Sequence, residues 1–364
     1  MNDQTYMDMA LDLAESVHGQ TSPNPPVGAV IVKDGAVVGI GAHLQAGEAH
    51  AEIHAISMAR EKADGATIYV TLEPCSHFGK TPPCADAIIK SGIRRVVIAT
   101  VDDNPLVAGK GIEKLEKANI TVETGCGKER AQALYIPFFH YASTKLPYVT
   151  MKSATSLDGK TATITGESKW ITGEQSRLDV HYYRNHNDAI LVGVNTVIAD
   201  NPQLTTRLPN GGRNPVRIIL DTHLRTPSAS KIVTDGEAAT WIFVGQNVSS
   251  EAIDGFSENT KAKIVQLNDE EINIESVLNH LGKQGIMTLF IEGGAEINGS
   301  FLKSGKINQL ITYIAPKLIG GRSAPTSISG DGLESIHEAV PLDIKSIEMI
   351  GDDIKIISVP KEVN

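Results

Sequence analysis

Four residues in the first quarter of the chain carry chemistry when taken together: His50, Glu52, Cys75 and Cys84. One imidazole and two thiolates make three ligands for zinc. Three protein ligands leave one tetrahedral position open, as catalytic rather than structural zinc sites do. The open position would hold a water whose pKa zinc lowers to about 7. Glu52 stands two positions beyond His50, near enough to move a proton without being a ligand. Each residue alone has an ordinary explanation, a histidine capping a helix or a buried free thiol. The joint pattern, with both cysteines preceded by proline (Pro74-Cys75 and Pro83-Cys84), is what points to zinc catalysis.

H-x-E followed by P-C and a further cysteine is the pattern of zinc-dependent nucleobase deaminases. The spacing departs from a bare CxxC, because eight residues separate Cys75 from Cys84. Ligation then requires the loop SHFGKTPP to fold back so that the next helix presents Cys84. His54 follows His50 by four positions, but a metalloprotease pair needs Glu directly after its first His, and Ala51 is there instead. His54 is therefore read as structural and Cys126 as a spare thiol. His77, inside the loop, is either a substrate contact or a solvated histidine.

The elements that must position these residues can be read from periodicity. Residues 3 to 17 form an amphipathic helix with Tyr6, Met9, Ala10, Leu13 and Val17 on one stripe. Asp34-Gly35 between two apolar runs marks a hairpin. His50 to Glu61 is a helix, ATIYVTLEP a strand, Cys84 to Ser91 a helix; VVIATVD, a helix near 110 to 118 and ITVETG follow. The short polar stretch Ser143 to Pro147 ends this pattern, and a second alternation of strands and helices starts at YVTMKSATS. The expectation is two α/β domains in tandem, residues 1–145 and 146–364.

The second half is less explicit. IMTLFI runs into Glu292-Gly293-Gly294 and a helix starting near Ala295, so backbone N–H groups there could hold a phosphate. The Rossmann G-x-G-x-x-G is absent, and an ordinary tight turn explains the glycines as well. Arg184 and Arg207 are suitable forks for a phosphate monoester, or else salt-bridge partners. By residue type alone Trp170 is a packing residue and Lys152 a solvated strand-end lysine.

Composition narrows the function classes. The chain has 364 residues, net charge −10 and three cysteines. An acidic chain without a basic cluster is a poor partner for nucleic acid. An odd cysteine count suits a reducing compartment, and the N-terminus carries Asp3, Asp8, Asp12 and Glu15 with no Lys or Arg, unlike a targeting peptide. The expected setting is the cytoplasm, with no membrane contact.

PNPPVGAVIV, GAHLQAGEAHAEIHAI, VTLEPCSHFGKTPPCADAII and DDNPLVAGKGI resemble the deaminase half of the RibD family, bifunctional riboflavin-biosynthesis deaminase/reductases. PYVTMKSATSLDGKTATITGESKWITG, ILVGVNTVIADNPQLTTR, FIEGGAEINGSFL and APKLIGG resemble its reductase half. The resemblance implies a cytidine-deaminase-like α/β/α sandwich followed by a dihydrofolate-reductase-like α/β domain. It implies one zinc per chain on His50, Cys75 and Cys84, Glu52 as proton shuttle, and Asn24 and His43 lining a pyrimidine pocket. It implies NADPH at Ala154, Trp170, Thr196, Asp200 and the run Gly294, Ala295, Glu296, Ile297, Asn298, Gly299, Ser300, and a proton donor's part for Lys152. Ser168, Arg184, Leu204, Arg207 and Glu292 are then expected to hold a small pyrimidine ribotide, in a homo-oligomer. The rivals are a nucleic-acid or free-base zinc deaminase with a non-catalytic accessory domain, and a zinc-stabilised structural protein.

Overall fold

A computed structural model describes residues 2–76, 82–102 and 108–361. The chain divides into two compact units, Met1–Lys145 and Leu146–Asn364.

In the first unit the elements are α1 (Asp3–Ser16), β1 (Gly28–Lys33), β2 (Ala36–Ala42), α2 (Ala51–Ala59), β3 (Thr67–Leu72), α3 (Cys84–Lys90), β4 (Arg95–Thr100), α4 (Lys110–Lys117), β5 (Thr121–Thr124) and α5 (Lys128–Thr144). The sheet order is β2-β1-β3-β4-β5, with β1 antiparallel to both neighbours and β3, β4 and β5 parallel. Side-chain alternation divides the strands between two cores. Ala29, Ile31, Ile68, Val70, Val96 and Ile98 face α2, α3 and α4. Val30, Val32, Tyr69 and Val97 face α1 and α5. This is a three-layer α/β/α sandwich.

Asp34 and Gly35 both take positive φ (48° and 76°), joining β1 to β2 where Asp-Gly predicts the hairpin. The stripe expected on α1 is rotated: Tyr6 and Ala10 are buried, but Met7, Leu11 and Ala14 join them while Met9 is 36% exposed. The helix packs on α5 as well as the sheet, which draws a neighbouring face inward. α5 itself has no clear sequence signal, since Pro137 sits inside it.

The second unit contains β6 (Tyr148–Ser156), α6 (Glu174–His186), β7 (Ala189–Gly193), α7 (Val194–Asp200), β8 (Val216–Leu220), α8 (Lys231–Thr234), β9 (Thr240–Val244), α9 (Ser250–Asn259), β10 (Lys263–Gln266), α10 (Ile274–Lys283), β11 (Thr288–Ile291), α11 (Ala295–Ser304), β12 (Gln309–Ala315), β13 (Leu342–Ile350) and β14 (Asp353–Pro360). Nine strands run in the order β10-β9-β8-β7-β11-β6-β12-β14-β13. All pairings from β10 to β12 are parallel; β14 is antiparallel to β12 and to β13. Parallel strands bury both faces and so read as continuous apolar runs. Leu191, Ile218 and Leu289 enter one core, while Ile190, Ile219 and Phe290 enter the other. β13 escapes a pattern reading because it is an edge strand with a register shift near Ile344 and mostly exposed side chains.

Candidate active sites

His50 precedes the first residue of α2 in extended conformation, and Glu52 lies in that helix's first turn. The helix starts there because β2 lets it come close. A Cβ on Gly41 would stand 2.2 Å from the Ala51 carbonyl oxygen. Cys75 follows β3, and Cys84 opens α3 after Pro83. The ligand atoms of His50, Cys75 and Cys84 lie within 4.8 Å of one another. His50 Nδ1 is 3.2 Å from Cys84 Sγ and 3.7 Å from Cys75 Sγ, and the Cys84 N–H donates to Cys75 Sγ at 3.2 Å. A tetrahedron with Zn–S of about 2.3 Å and Zn–N of about 2.0–2.1 Å has edges of about 3.6–3.8 Å, so the cluster has the size as well as the donors for zinc.

Charge distribution fits the same purpose. The hydrogen bond with Cys84 pulls the Cys75 thiol well below its ordinary pKa, against the effect of its burial, with His50 assisting. A sulfur already favouring the thiolate is prepared for a cation. Burial pushes Glu52, which is 3% exposed, up to about 7. His43, also buried, is lowered first by desolvation. Asn24 Nδ2 meets His43 Nε2 at 3.0 Å, and His43 Nδ1 points at the Ala49 carbonyl at 3.2 Å. Nδ1 therefore carries the proton, because an amide nitrogen only donates. The His43 ring stands edge-on to His50 with centroids 5.0 Å apart. Asn24 and His43 thus sit beside the metal cluster.

A residue absent from the sequence reading supports this site from beneath. Glu73, 5% exposed, accepts backbone N–H bonds from Asp102 (3.4 Å), Gly109 (3.0 Å), Gly111 (2.9 Å) and Ile112 (3.3 Å). A carboxylate here satisfies the orphan amides at the start of α4 and fixes the strand end that carries Pro74-Cys75. The only hint in sequence is its place before that dipeptide. His54 is not brought into the cluster, and Cys126 Sγ faces Gln4 Oε1 at 3.8 Å instead. His77 lies outside the described residues.

Two cavities lie among the described residues of the second unit, of about 570 and 470 Å³. Thr196, Gly294, Ala295, Glu296, Ile297 and Ser300 line the larger, where Gly294 precedes the first residue of α11. Lys152, Ala154, Ser168, Trp170, Arg184, Arg207 and Glu292 line the smaller. Trp170 is 63% exposed, with the Arg177 guanidinium 4.6 Å from its ring centre, so it is a rim residue rather than core.

Some expected contacts are occupied otherwise. Arg184 gives Nε and Nη2 to the two oxygens of Glu292 at 2.6 and 2.9 Å, and Nη1 to the Thr205 carbonyl at 3.0 Å. Its fork is already engaged, whereas Arg207 gives Nη1 to Thr205 Oγ1 at 3.0 Å. Asp200 pairs with Lys169 at 3.6 Å, and Leu204 is buried with positive φ; neither is among the described residues lining these two cavities. Asn298 Nδ2 donates to the Ser327 carbonyl at 2.8 Å, and a Cβ on Gly299 would meet Ser329 O at 1.9 Å. Asn298 and Gly299 hold α11 against the 327–330 segment, turned away from the cavity. His181, which the sequence did not single out, lines the smaller cavity and accepts the Arg207 N–H on Nδ1 at 3.3 Å.

The profile of the cytidine and deoxycytidylate deaminase zinc-binding region matches residues 1–100, and that of the RibD C-terminal domain matches residues 147–356. The chain is 52% identical over 360 residues to riboflavin biosynthesis protein RibD of Bacillus amyloliquefaciens, covering 99% of this chain and 97% of that protein. The chain belongs to the RibD family. It is 42% identical to the Escherichia coli RibD protein over 367 residues, covering 97% and 98% of the two chains. Among solved structures, Acinetobacter baumannii RibD superposes with a TM-score of 0.87 at 40% identity over 99% of both chains. A Thermotoga maritima diaminohydroxyphosphoribosylaminopyrimidine deaminase/5-amino-6-(5-phosphoribosylamino)uracil reductase matches with the same score, at 37% identity over 98% of each.

RibD membership makes this chain a bifunctional deaminase and reductase of riboflavin biosynthesis, using zinc and NADPH. It removes both rivals, since the second half is a reductase domain and not an inert accessory. No helix among the described residues is long and apolar enough to cross a membrane.

Proposed function

We propose that residues 1–145 deaminate 2,5-diamino-6-(ribosylamino)-4(3H)-pyrimidinone 5′-phosphate, and that residues 146–364 then reduce the ribosyl side chain to ribityl. The product is 5-amino-6-(ribitylamino)uracil 5′-phosphate. The observation that carries the first half is the cluster of His50, Cys75 and Cys84 donor atoms with buried Glu52 beside it. The name of the Thermotoga maritima relative supplies the substrates.

Zinc held by His50, Cys75 and Cys84 supplies an acidified water and a Lewis acid. Glu52 takes the proton from the attacking water and delivers protons to the ring nitrogen and to the departing ammonia. Its ordinary carboxyl acidity would make it a poor acid in the second role, and the burial that lifts it to about 7 fits both roles. Asn24 and His43 orient the pyrimidine, and the neutral His43 adds no charge that would compete with the metal.

NADPH supplies the hydride in the second half. Arg207 holds the ribotide phosphate and Trp170 covers the reacting end of the cavity from its rim. Glu292 fixes Arg184 as a rigid wall. Lys152, whose pKa burial lowers, donates the proton taken up by the nitrogen when the opened sugar is reduced. Gly294, Ala295, Glu296 and Ile297, with Ser300, cradle the dinucleotide pyrophosphate at the start of α11.

The substrate is thus a small pyrimidine ribotide rather than a nucleic acid. We place the reaction in the cytoplasm, where the free thiols Cys75 and Cys84 stay reduced. A homo-oligomer is favoured by Ile344, Ile347 and Met349, each about 60% exposed on edge strand β13. One assay tests the whole reading: supply the diaminopyrimidine ribotide and follow ammonia and NADPH separately. Ammonia release preceding NADPH oxidation is expected. NADPH oxidation without ammonia release would overturn the order and the zinc-site assignment.

A further inference from the structure

The larger cavity of the second unit contains charge that the reading above does not use. Of the described residues lining it, Arg225 and His223 alone can be positively charged, and both are exposed. They follow β8 in a turn that the chain builds firmly. The carboxylate of Asp221, 1% exposed, accepts the N–H of Arg225 at 2.9 Å and both the N–H and hydroxyl of Thr226 at 2.7 Å. Leu224 takes a positive φ of 54° inside the same turn. A non-glycine residue stays in that region only where its surroundings hold it there.

The Arg225 side chain is aimed by its neighbours too. Nη2 donates to Asn195 Oδ1 at 2.9 Å, and Asn195 Nδ2 donates to Glu296 Oε2 at 3.1 Å. Asn195 is thus a strut between the turn and the first turn of α11. Arg225 makes no ion pair with a described residue, and the remaining guanidinium donors suit a phosphate fork.

Sheet order states which part of a dinucleotide arrives there. The strands run β10-β9-β8-β7-β11, and the helix N-terminus that would take the pyrophosphate follows β11. β8 is two strands away, about 10 Å at a spacing of about 4.8 Å. A Cβ on Gly245, just past β9, would stand 2.6 Å from the Glu270 carbonyl oxygen, so Glu271 lies beyond the end of β9, three strands away, about 14 Å. One ribose separates the pyrophosphate from the 2′ position, which brings that position over β8 and leaves Glu271 to the adenine end.

We propose that Arg225, assisted by His223, reads the 2′-phosphate of NADPH and sets the preference for NADPH over NADH. The assignment rests on the larger cavity being the NADPH site. Interactions built for a charged group reject the analogue that lacks it.

The test is calorimetric binding of adenosine 2′,5′-bisphosphate and of 5′-AMP to the full-length chain, wild type and variants. Wild type should bind the bisphosphate about ten- to a hundredfold more tightly, the value of one or more charge-assisted contacts. Arg225→Ala should remove most of that difference while leaving 5′-AMP affinity and the melting temperature unchanged. Arg225→Lys should restore part of it, and His223→Ala should lose less than Arg225→Ala. The ratio of kcat/KM for NADPH over NADH should fall in parallel. Equal weakening of both ligands in Arg225→Ala would overturn the proposal and make Arg225 a mere support for Asn195. Wild-type affinity equal for the two ligands would overturn it while leaving the dinucleotide site standing. Binding of neither ligand, nor of NADPH itself, would remove the cavity assignment on which it rests.

Discussion

Glu52 and Glu292 are both buried carboxylates, and their surroundings drive them in opposite directions. Burial dominates at Glu52 and lifts it to about 7. At Glu292 burial acts the same way, but the charge and hydrogen bonds of Arg184 outweigh it and hold the group below the usual carboxylate range. Glu52 can therefore exchange a proton near neutrality, whereas Glu292 stays ionised and positions its partner. Glu52→Gln keeps the shape and loses the proton. It should retain about one zinc per chain by elemental analysis while ammonia release falls about 10²–10⁴-fold. Deamination within about tenfold of wild type would be falsifying. A second carrier of pH dependence is His181, which burial first, and then the charges of Arg184 and Arg207, lower to about 4. The folded value lies below the unfolded value of about 6.5. Its stabilising contribution is therefore complete above about 6.5 and is lost as pH falls toward about 4. Urea unfolding should show stability rising less steeply from pH 4 to 6.5 in His181→Gln than in wild type; identical slopes would mean His181 is not held neutral. The zinc ligands and Glu52 were legible in sequence because few residue types bind zinc, and the two Pro-Cys steps mark strand and helix ends. Arg184 was less legible: its partner lies 108 positions away, so sequence could offer a fork or a salt bridge but could not choose.

Positioning at the scale of elements depends on close approach as much as on apolar pattern. α2 carries His50 and Glu52 at its start, and its distance from β2 is set by glycines where other strands have side chains. Replacing Gly41 by Ala would add a Cβ 2.2 Å from Ala51 O and 2.8 Å from the Ala55 nitrogen and the His54 Cβ. Backbone cannot yield as a flexible side chain does, so the first turn of α2 must move. Gly41→Ala should lower zinc content and ammonia release severely while NADPH oxidation with the already deaminated substrate continues. Full zinc occupancy in that variant would show that α2 can shift without displacing His50. Such glycines are invisible to a periodicity argument, which registers them only as weak strand formers. The same limit explains other elements. Strands buried on both faces are readable as apolar runs, and the Asp34-Gly35 hairpin is readable from its turn chemistry. α5 contains Pro137, and β13 is an edge strand with its side chains largely exposed, so neither presents the pattern that a buried element must.

At the scale of the molecule, the zinc ligands and the reductase cavities belong to different compact units, Met1–Lys145 and Leu146–Asn364. Each unit has its own sheet with apolar clusters on both faces, and each exceeds the size at which a single domain can supply its own core. Separate cores imply separable activities. A fragment of residues 146–364 should unfold cooperatively and oxidise NADPH when given the deaminated aminopyrimidine ribotide. Chelation of zinc should leave that rate unchanged, since no His50, Cys75 or Cys84 remains, whereas in the full chain it should stop ammonia release but spare NADPH oxidation with the already deaminated ribotide. Within the fragment, Arg207→Ala should weaken ribotide binding by about one to two decades, the cost of a lost charge-assisted phosphate contact, with NADPH affinity unaffected. Arg184→Ala is expected to behave differently. It strips the counter-charge from a buried Glu292 and should lower stability itself, by about 3–5 kcal/mol if the site cannot admit water. Thermal unfolding and ribotide titration of the two variants distinguish these roles: a stable Arg184→Ala protein with selectively weakened ribotide binding would make Arg184, and not Arg207, the phosphate contact.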